Sequence, residues 1–321
     1  MSRSAVESTQ SPPALLRGQS AAATARRAAL TSAVCVLLCA AVYLTAVRTG
    51  TGQRFENDVW LGAGQTAAQR PIQAAGALNL IGNWTGIAAV LVVLLIGLLR
   101  RRIALAVAGV AVIGASVATA EYLKSALPRP NLVPGWPDDV GNSYPSGHTG
   151  IAMAVMFALI LVAPYRIRGL VASCTAALAT EIGALTIIAR WHRPSDTLGA
   201  DLMVLGYASA AVLILAALGR VRPAEPRSAR SRYAYALSPI AAATATALCG
   251  AALFAALTYY HRVDFAPGFE IFHAAFFTGC LIALAGSGLA TLAFLWLLGG
   301  LDLAPARGPV VGPEAGRTER P

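Results

Sequence analysis

The sequence predicts an all-α, polytopic membrane protein, and three observations lead to that class. Hydrophobic residues make up 56% of the 321 residues and charged residues only 12%, whereas a soluble domain carries about 25% charged residues. This composition excludes both an ordinary soluble enzyme and a disordered chain. Apolar runs near the ~20-residue length of a spanning helix recur along the chain. Helices are expected throughout because backbone in lipid must satisfy its own hydrogen bonds.

Eight apolar runs are predicted to span the membrane. The first six form a core over residues 28–219, and residues 220–302 add two further transmembrane helices. Residues 1–27 and 303–321 lack such runs and are predicted to be disordered tails. The eight runs cover residues 28–47, 80–99, 103–123, 148–163, 169–189, 197–219, 234–259 and 271–300.

The distribution of basic residues predicts that both termini are cytoplasmic. With the N-terminus inside, 17 of the 25 Lys and Arg residues fall in inside segments and 8 fall outside. The net charge of +10 is therefore attributed to orientation, and nucleic acid is not expected as a partner. Four of the outside charges, Lys124, Arg129, Arg190 and Arg193, occur together in two loops. Charges that resist the bias are candidates for function.

The stretch Pro145-Ser146-Gly147-His148 stands where the fourth apolar run begins. Serine is a good helix cap, and free N–H groups at a helix N-terminus bind anions, phosphate above all. His148 falls within the first turn, next to such an anion. The alternative is a plain helix start with an interfacial histidine.

His192 and Asp196 are four residues apart, with Pro194 marking the start of the sixth helix. A carboxylate at this spacing can accept the Nδ1–H of the imidazole, which frees Nε2 as a nucleophile or base. The alternative is Asp196 as a simple N-cap beside an exposed His192. Lys124 and Arg129 supply cations suited to phosphate oxygens. Glu121, three residues before Lys124, lies on the same helix face and is expected to pair with it.

Together these residues resemble the motifs of the PAP2 (type 2 phosphatidic acid phosphatase) superfamily, which includes the vanadium haloperoxidases. The Pro-Ser-Gly-His stretch matches the second motif, and His192-x3-Asp196 matches the end of the third. Lys124 and Arg129-Pro130 are similar to the first motif, with four intervening residues instead of six. The arginine of the third motif falls at Thr186 here, and Arg193 is favoured over Arg190 as its replacement. The resemblance covers residues 28–219.

The resemblance implies a metal-independent phosphatase that acts on a lipid phosphate or polyprenyl diphosphate at the extracytoplasmic face, without a cofactor. It implies that His192 forms a phosphohistidine, that Asp196 orients His192, and that His148 protonates the leaving group. The phosphoryl oxygens are then held by Lys124, Arg129, Ser146, Gly147 and, in place of the missing arginine, Arg193.

Other functions stay open from the sequence alone. One is a lipid phosphotransferase of the same fold, in which an acceptor hydroxyl replaces water. Others are a lipid-binding protein without activity and a transporter that uses Glu121, Glu181 and Asp201 as an ion path. The last two helices could lengthen a substrate groove or form the contact of a homo-oligomer. The five cysteines all lie in apolar runs, so we expect neither a disulfide framework nor a metal cluster.

Overall fold

The computed structural model describes residues 14–134, 141–224, 228–260 and 269–303. These residues form an almost entirely helical bundle, which confirms the predicted fold class. A π-helical turn, Tyr43–Val47, follows the first helix. The elements in chain order are α1 (Ala14–Val42), α2 (Gly50–Gly64), α3 (Gln69–Asn79), α4 (Asn83–Leu99), α5 (Ile103–Ala126), α6 (Gly147–Val162), α7 (Arg168–Ile188), α8 (Pro194–Ala217), β1 (Val221–Pro223), α9 (Ser228–Tyr260), α10 (Phe269–Leu297) and β2 (Leu301–Leu303).

Five helices in the described residues are long and apolar enough to cross a membrane, which makes the chain a multi-pass membrane protein. They cover Ala21–Val47, Ile103–Ala126, Arg168–Ile188, Pro194–Ala217 and Ile271–Leu297. The predicted span 80–99 meets the same test only jointly with α3, from which α4 is bent by 48°. Within the described residues, three of the eight predicted spans, 80–99, 148–163 and 234–259, therefore do not meet this test as single helices.

The predicted spans 148–163 and 234–259 correspond to the shorter apolar helices Gly147–Val162 and Pro239–Ala255. A helix of 16 residues rises about 24 Å, less than the ~30 Å hydrocarbon thickness. Helix α6 tolerates this length because α5, α7 and α8 enclose it, and most of its side chains are buried. Its length is thus set by protein neighbours rather than by lipid.

The predicted external segment 48–79 is largely helical, because it contains α2 and α3. The sequence pattern gave no sign of α2, since its buried face carries the polar residues Gln53, Glu56 and Asn57. Helix α1 also begins earlier than expected, at Ala14, because the alanine-rich segment up to residue 29 favours a helix. The rest of the predicted tails, residues 1–13 and 304–321, lies outside the described residues.

The core lies where α6 and α8 meet the other helices, and apolar side chains also cover much of the outside. Phe157 of α6 and Phe294 of α10 are fully buried, with ring centroids 4.6 Å apart. Leu37, Leu91 and Leu178 are instead well exposed. Exposed apolar surface on several helices is typical of a bundle that faces lipid.

Helix α10 packs on α2, α7, α8 and α9, so it is an integral part of the bundle. At its end, β2 pairs with β1 in a two-stranded antiparallel sheet that closes the predicted inner side. Arg222 and Asp302 face each other across this sheet, with Nη2 and Oδ2 2.6 Å apart. These three-residue strands are too short for a sequence pattern to reveal.

Candidate active site

His192 and Asp196 meet at the start of α8 as their spacing predicts. The Nδ1 atom of His192 lies 3.3 Å from Oδ2 of Asp196. The same oxygen accepts hydrogen bonds from the Ser143 hydroxyl at 2.6 Å and from the Arg193 backbone N–H at 2.9 Å. Asp196 is fully buried. Three donors on one oxygen fix the carboxylate, which can then hold the imidazole with Nε2 directed away from it.

The segment between α7 and α8 is held by the backbone of Thr186. Its carbonyl accepts the N–H groups of Trp191 at 3.0 Å and of His192 at 3.2 Å. The Thr186 side chain is 0% exposed, and its hydroxyl donates to the Gly183 carbonyl at 2.7 Å. Position 186, where the family motif has arginine, is therefore tightly enclosed and is filled by the small side chain of threonine.

The Pro-Ser-Gly-His stretch forms the start of α6 and is joined to α8. The Ser146 hydroxyl caps α6 by accepting the Thr149 N–H at 3.3 Å, and the Ser146 N–H donates to the Asp196 carbonyl at 2.8 Å. This geometry leaves the N–H groups of Gly147 and His148 without a helical acceptor. Such groups at a helix N-terminus form an anion-binding position.

His148 lies close to two rings from the other loop. Its ring centroid is 6.3 Å from that of His192 and 5.2 Å from that of Trp191. The two histidines are therefore close enough for one phosphoryl group to contact both. Their catalytic roles stay predictions.

Lys124 reaches this site from the end of α5. Its Nζ atom lies 2.7 Å from Oε1 of Glu121, which confirms the expected ion pair. A Cβ atom at Gly147 would lie only 3.1 Å from the same Nζ. Glycine at position 147 thus lets the ammonium approach the start of α6, where the free N–H groups are.

Arg129 is held by Glu56, a residue that the sequence analysis did not single out. Nη2 of Arg129 lies 2.6 Å from Oε2 of Glu56, and both side chains are buried. Burial, and then the nearby charge of Asp196, raise the pKa of the Glu56 carboxyl, whereas Arg129 opposes this rise. The sequence feature that could have pointed to Glu56 was the set of polar residues at positions 53, 56 and 57, which share one helix face.

Arg193 and Arg190 occupy different surroundings. Arg193 is 7% exposed; burial and the charge of Arg129 lower its pKa, while Asp196 and Glu56 oppose this. It therefore lies among the site residues. The Arg190 guanidinium instead stacks on Trp60, with Cζ 3.3 Å from the ring centroid. This placement favours Arg193 as the additional cation of the site.

A cavity of about 800 Å³ opens beside these residues, between α4, α5 and α6. Its polar end is formed by Glu121, Lys124, Gly147 and His148. The lining does not include His192, Asp196, Arg129 or Arg193. The remainder of the lining is apolar: Ile81, Gly82, Gly86, Ile87, Val90, Leu91, Ile113, Gly114, Val117, Ala118, Ala120 and Ile151.

The other acidic residues of interest are separate from this site. Asp201 is buried in α8, where the Ser287 hydroxyl lies 3.0 and 3.1 Å from its two oxygens. Glu181 is exposed on α7. Across the described ranges, no group of three or more His, Cys, Asp or Glu side chains could hold a metal ion. The acids that would form an ion path, Glu121, Glu181 and Asp201, are thus on three different helices.

Comparison with known proteins gives one family. The family model of the PAP2 superfamily matches residues 103–222, which include α5 to α8 and every motif residue discussed above. Searches of curated proteins and of solved structures found no match. Helices α1 to α4, α9 and α10 lie outside the matched region.

Proposed function

Because residues 103–222 belong to the PAP2 superfamily, we propose that this membrane protein hydrolyses a lipid phosphate or polyprenyl diphosphate through a phosphohistidine. The main support is the placement of His148 opposite the His192–Asp196 pair, at the polar end of an apolar cavity. We place this site at the extracytoplasmic face, since the basic residues predict cytoplasmic termini.

Two buried donors support the binding of an anion next to the histidines. Nη1 of Arg129 and Nε of Arg193 have no hydrogen-bond partner in the part of the chain that the structure describes. A buried donor without an acceptor costs about 1–3 kcal/mol. A phosphoryl group, with three peripheral oxygens, offers acceptors for both guanidinium groups, for Lys124 and for the N–H groups of Gly147 and His148.

In the first proposed step, Nε2 of His192 attacks phosphorus while the bond to the leaving oxygen breaks. Asp196 keeps the proton on Nδ1 and stabilises the positive charge that develops on the ring. Protonated His148 donates its proton to the leaving oxygen, so the lipid departs as a neutral alcohol or, from a diphosphate, as a monophosphate. The phosphoryl group remains on His192.

In the second step, water replaces the lipid. His148, now neutral, accepts a proton from the water, whose oxygen attacks phosphorus as the bond to Nε2 of His192 breaks. Inorganic phosphate leaves and both histidines return to their starting states. Dividing the hydrolysis in this way replaces one very slow reaction with two easier ones.

The proposed function is tested by phosphate release from a panel of lipid phosphates and polyprenyl diphosphates. The protein is purified in detergent and assayed with EDTA present. We expect release without added metal and inhibition by orthovanadate, which resembles the transferred phosphoryl group. Absence of release from the whole panel, together with absence of vanadate binding, would contradict the proposal.

The contribution of Arg193 is tested against Arg190. Arg193→Gln should weaken vanadate inhibition by about tenfold or more, because it removes a charged donor of the buried site. Arg190→Gln should change inhibition much less, since Arg190 stacks on Trp60. Strong loss in Arg190→Gln beside a normal Arg193→Gln protein would reverse the assignment.

The apolar cavity is proposed to hold the lipid tail, and Gly114 offers a direct test. Gly114 lines the cavity, and a Cβ atom added there would meet no other atom within 4 Å. Gly114→Phe should fill the groove and lower kcat/KM for a long-chain substrate by roughly 10- to 100-fold. A short soluble phosphate ester should react normally, as should Gly114→Ala with either substrate. An unchanged kcat/KM for the long-chain substrate in a folded Gly114→Phe protein would show that the tail binds elsewhere.

A further inference from the structure

We propose that Glu56 of α2 is a positioning residue that holds the guanidinium of Arg129 for the phosphoryl group. It thereby makes α2, which lies outside the matched region, part of the phosphate site. This assignment rests on the proposed function, because it gives Arg129 a phosphate to bind.

The two oxygens of Glu56 contact both halves of the site. Oε2 lies 2.6 Å from Nη2 of Arg129, and Oε1 accepts the backbone N–H of Ser195 at 3.3 Å. The exposed fractions of the Arg129 and Glu56 side chains are 5% and 1%. One buried carboxylate thus joins the first-motif arginine to the first turn of α8, which carries Asp196.

This contact uses only one edge of the Arg129 guanidinium. Nη1 is buried and has no hydrogen-bond partner among the described residues. Because a guanidinium is planar and rigid, a fixed Nη2 restricts the direction in which Nη1 points. Glu56 therefore orients a donor that stays available for a phosphoryl oxygen.

Glu56 also balances charge before a substrate binds. Burial and then the charge of the nearby Arg129 lower the pKa of Arg193, whereas the charges of Asp196 and Glu56 oppose that shift. Without a carboxylate, two buried guanidinium groups would repel each other, and the loss of their hydration would go uncompensated. Glu56 and Asp196 both offset this repulsion, and Glu56 is the carboxylate that contacts Arg129 directly.

Helix α2 is itself fixed against the loop that carries Arg129. The Gln53 amide donates to the carbonyls of Val47 at 2.8 Å and Pro130 at 2.6 Å. Its Oε1 accepts the Leu132 N–H at 3.0 Å. Gln53 precedes Glu56 by three residues on the same buried face. Helix α2 therefore gives Glu56 a rigid support, and a group that positions a binding residue needs such a support.

The test compares Glu56→Gln with Asp302→Asn, using orthovanadate as the probe. Asp302 forms an equally short pair with Arg222, but in the β1–β2 sheet. We expect Glu56→Gln to weaken vanadate binding about tenfold or more and to raise KM more than it lowers kcat. Asp302→Asn should leave vanadate binding, KM and kcat unchanged. Vanadate binding to the purified protein is measured directly as well as by inhibition.

Glu56→Gln leaves the Arg129 charge buried without a partner, which could prevent folding. A double variant that also replaces Arg129 keeps the test valid in that case. Arg129→Gln and the double variant with Glu56→Gln should bind vanadate with equal affinity, to within about twofold, because Glu56 acts through Arg129. A further tenfold loss in the double variant would overturn the assignment. So would normal vanadate affinity in a folded Glu56→Gln protein.

The wild-type protein separates the two hypotheses. If it binds vanadate and releases phosphate while Glu56→Gln does so equally well, only the role of Glu56 is overturned. If the wild-type protein neither binds vanadate nor releases phosphate, the proposed function fails and the role of Glu56 fails with it.

Discussion

Replacing His192 by alanine is expected to lower the rate of lipid phosphate hydrolysis by about 10⁴-fold or more. When catalytic residues act as one unit, removing a single member costs nearly as much activity as removing all of them. The variant lacks the nitrogen that attacks phosphorus, and no other histidine of the site has the contact with Asp196. Vanadate binding should weaken much less, because the guanidinium groups and the N–H groups at the start of α6 remain. The rate of phosphate release under EDTA measures this effect.

The matched control is His273→Ala, which removes a histidine of α10 outside the cavity lining. It should retain most of the wild-type rate. Unchanged hydrolysis in a folded His192→Ala protein would rule out the proposed nucleophile. An equal loss in both variants would instead point to a general effect on folding.

Replacing His148 by alanine is expected to slow release of a lipid alkoxide by roughly 10²–10⁴-fold, the usual contribution of a general acid or base. The loss should depend on the leaving group, because only a poor leaving group needs a proton from His148. With p-nitrophenyl phosphate as substrate, formation of the phosphoenzyme should be partly restored. The burst of p-nitrophenol in a rapid-mixing experiment measures this step.

The leaving-group dependence separates acid catalysis from binding. If His148 only binds phosphate, His148→Ala should slow the first step equally for both substrates. The Trp191 ring lies 5.2 Å from the ring of His148. If Trp191 positions the His148 ring, the rate loss in Trp191→Leu should depend on the leaving group in the same way, but less strongly. Equal loss with both leaving groups would contradict the role of His148 as a proton donor.

Local motifs allowed the sequence to predict several of the contacts that the structure shows around the candidate residues. The four-residue separation of His192 and Asp196 predicted their contact, and in the structure His192 lies just before α8 while Asp196 lies in its first turn. The Ser146-Gly147 pair similarly indicated the start of α6. The fold class followed from composition, since few charges over a long chain leave only a membrane protein.

Glu56 escaped the sequence analysis because its importance depends on contacts far apart in the chain. Its partners are 73 and 139 residues away, and a polar helix face ordinarily indicates solvent. The bend between α3 and α4 escaped for a related reason: hydropathy records whether a segment is apolar, whereas its neighbours set its direction. The choice between Arg193 and Arg190 likewise needed Trp60, on another element.

Helix α10 illustrates the same limit for a whole element. Its apolar pattern predicted a spanning helix but no function. In the structure it packs on α2, α7 and α8, and its Ser287 lies within hydrogen-bonding distance of buried Asp201 of α8. It therefore supports the helix that carries Asp196, which assigns it a place in the bundle beyond the family region.

The most direct test of the proposed mechanism is to trap the phosphoenzyme. Wild-type protein is mixed with a lipid phosphate labelled at phosphorus, quenched in alkali, where phosphohistidine survives, and digested for peptide mapping. We predict a phosphoryl group on His192 that forms faster than phosphate is released or at the same rate. Sustained hydrolysis with no labelled protein, or with the label on another residue, would contradict a phosphohistidine at His192.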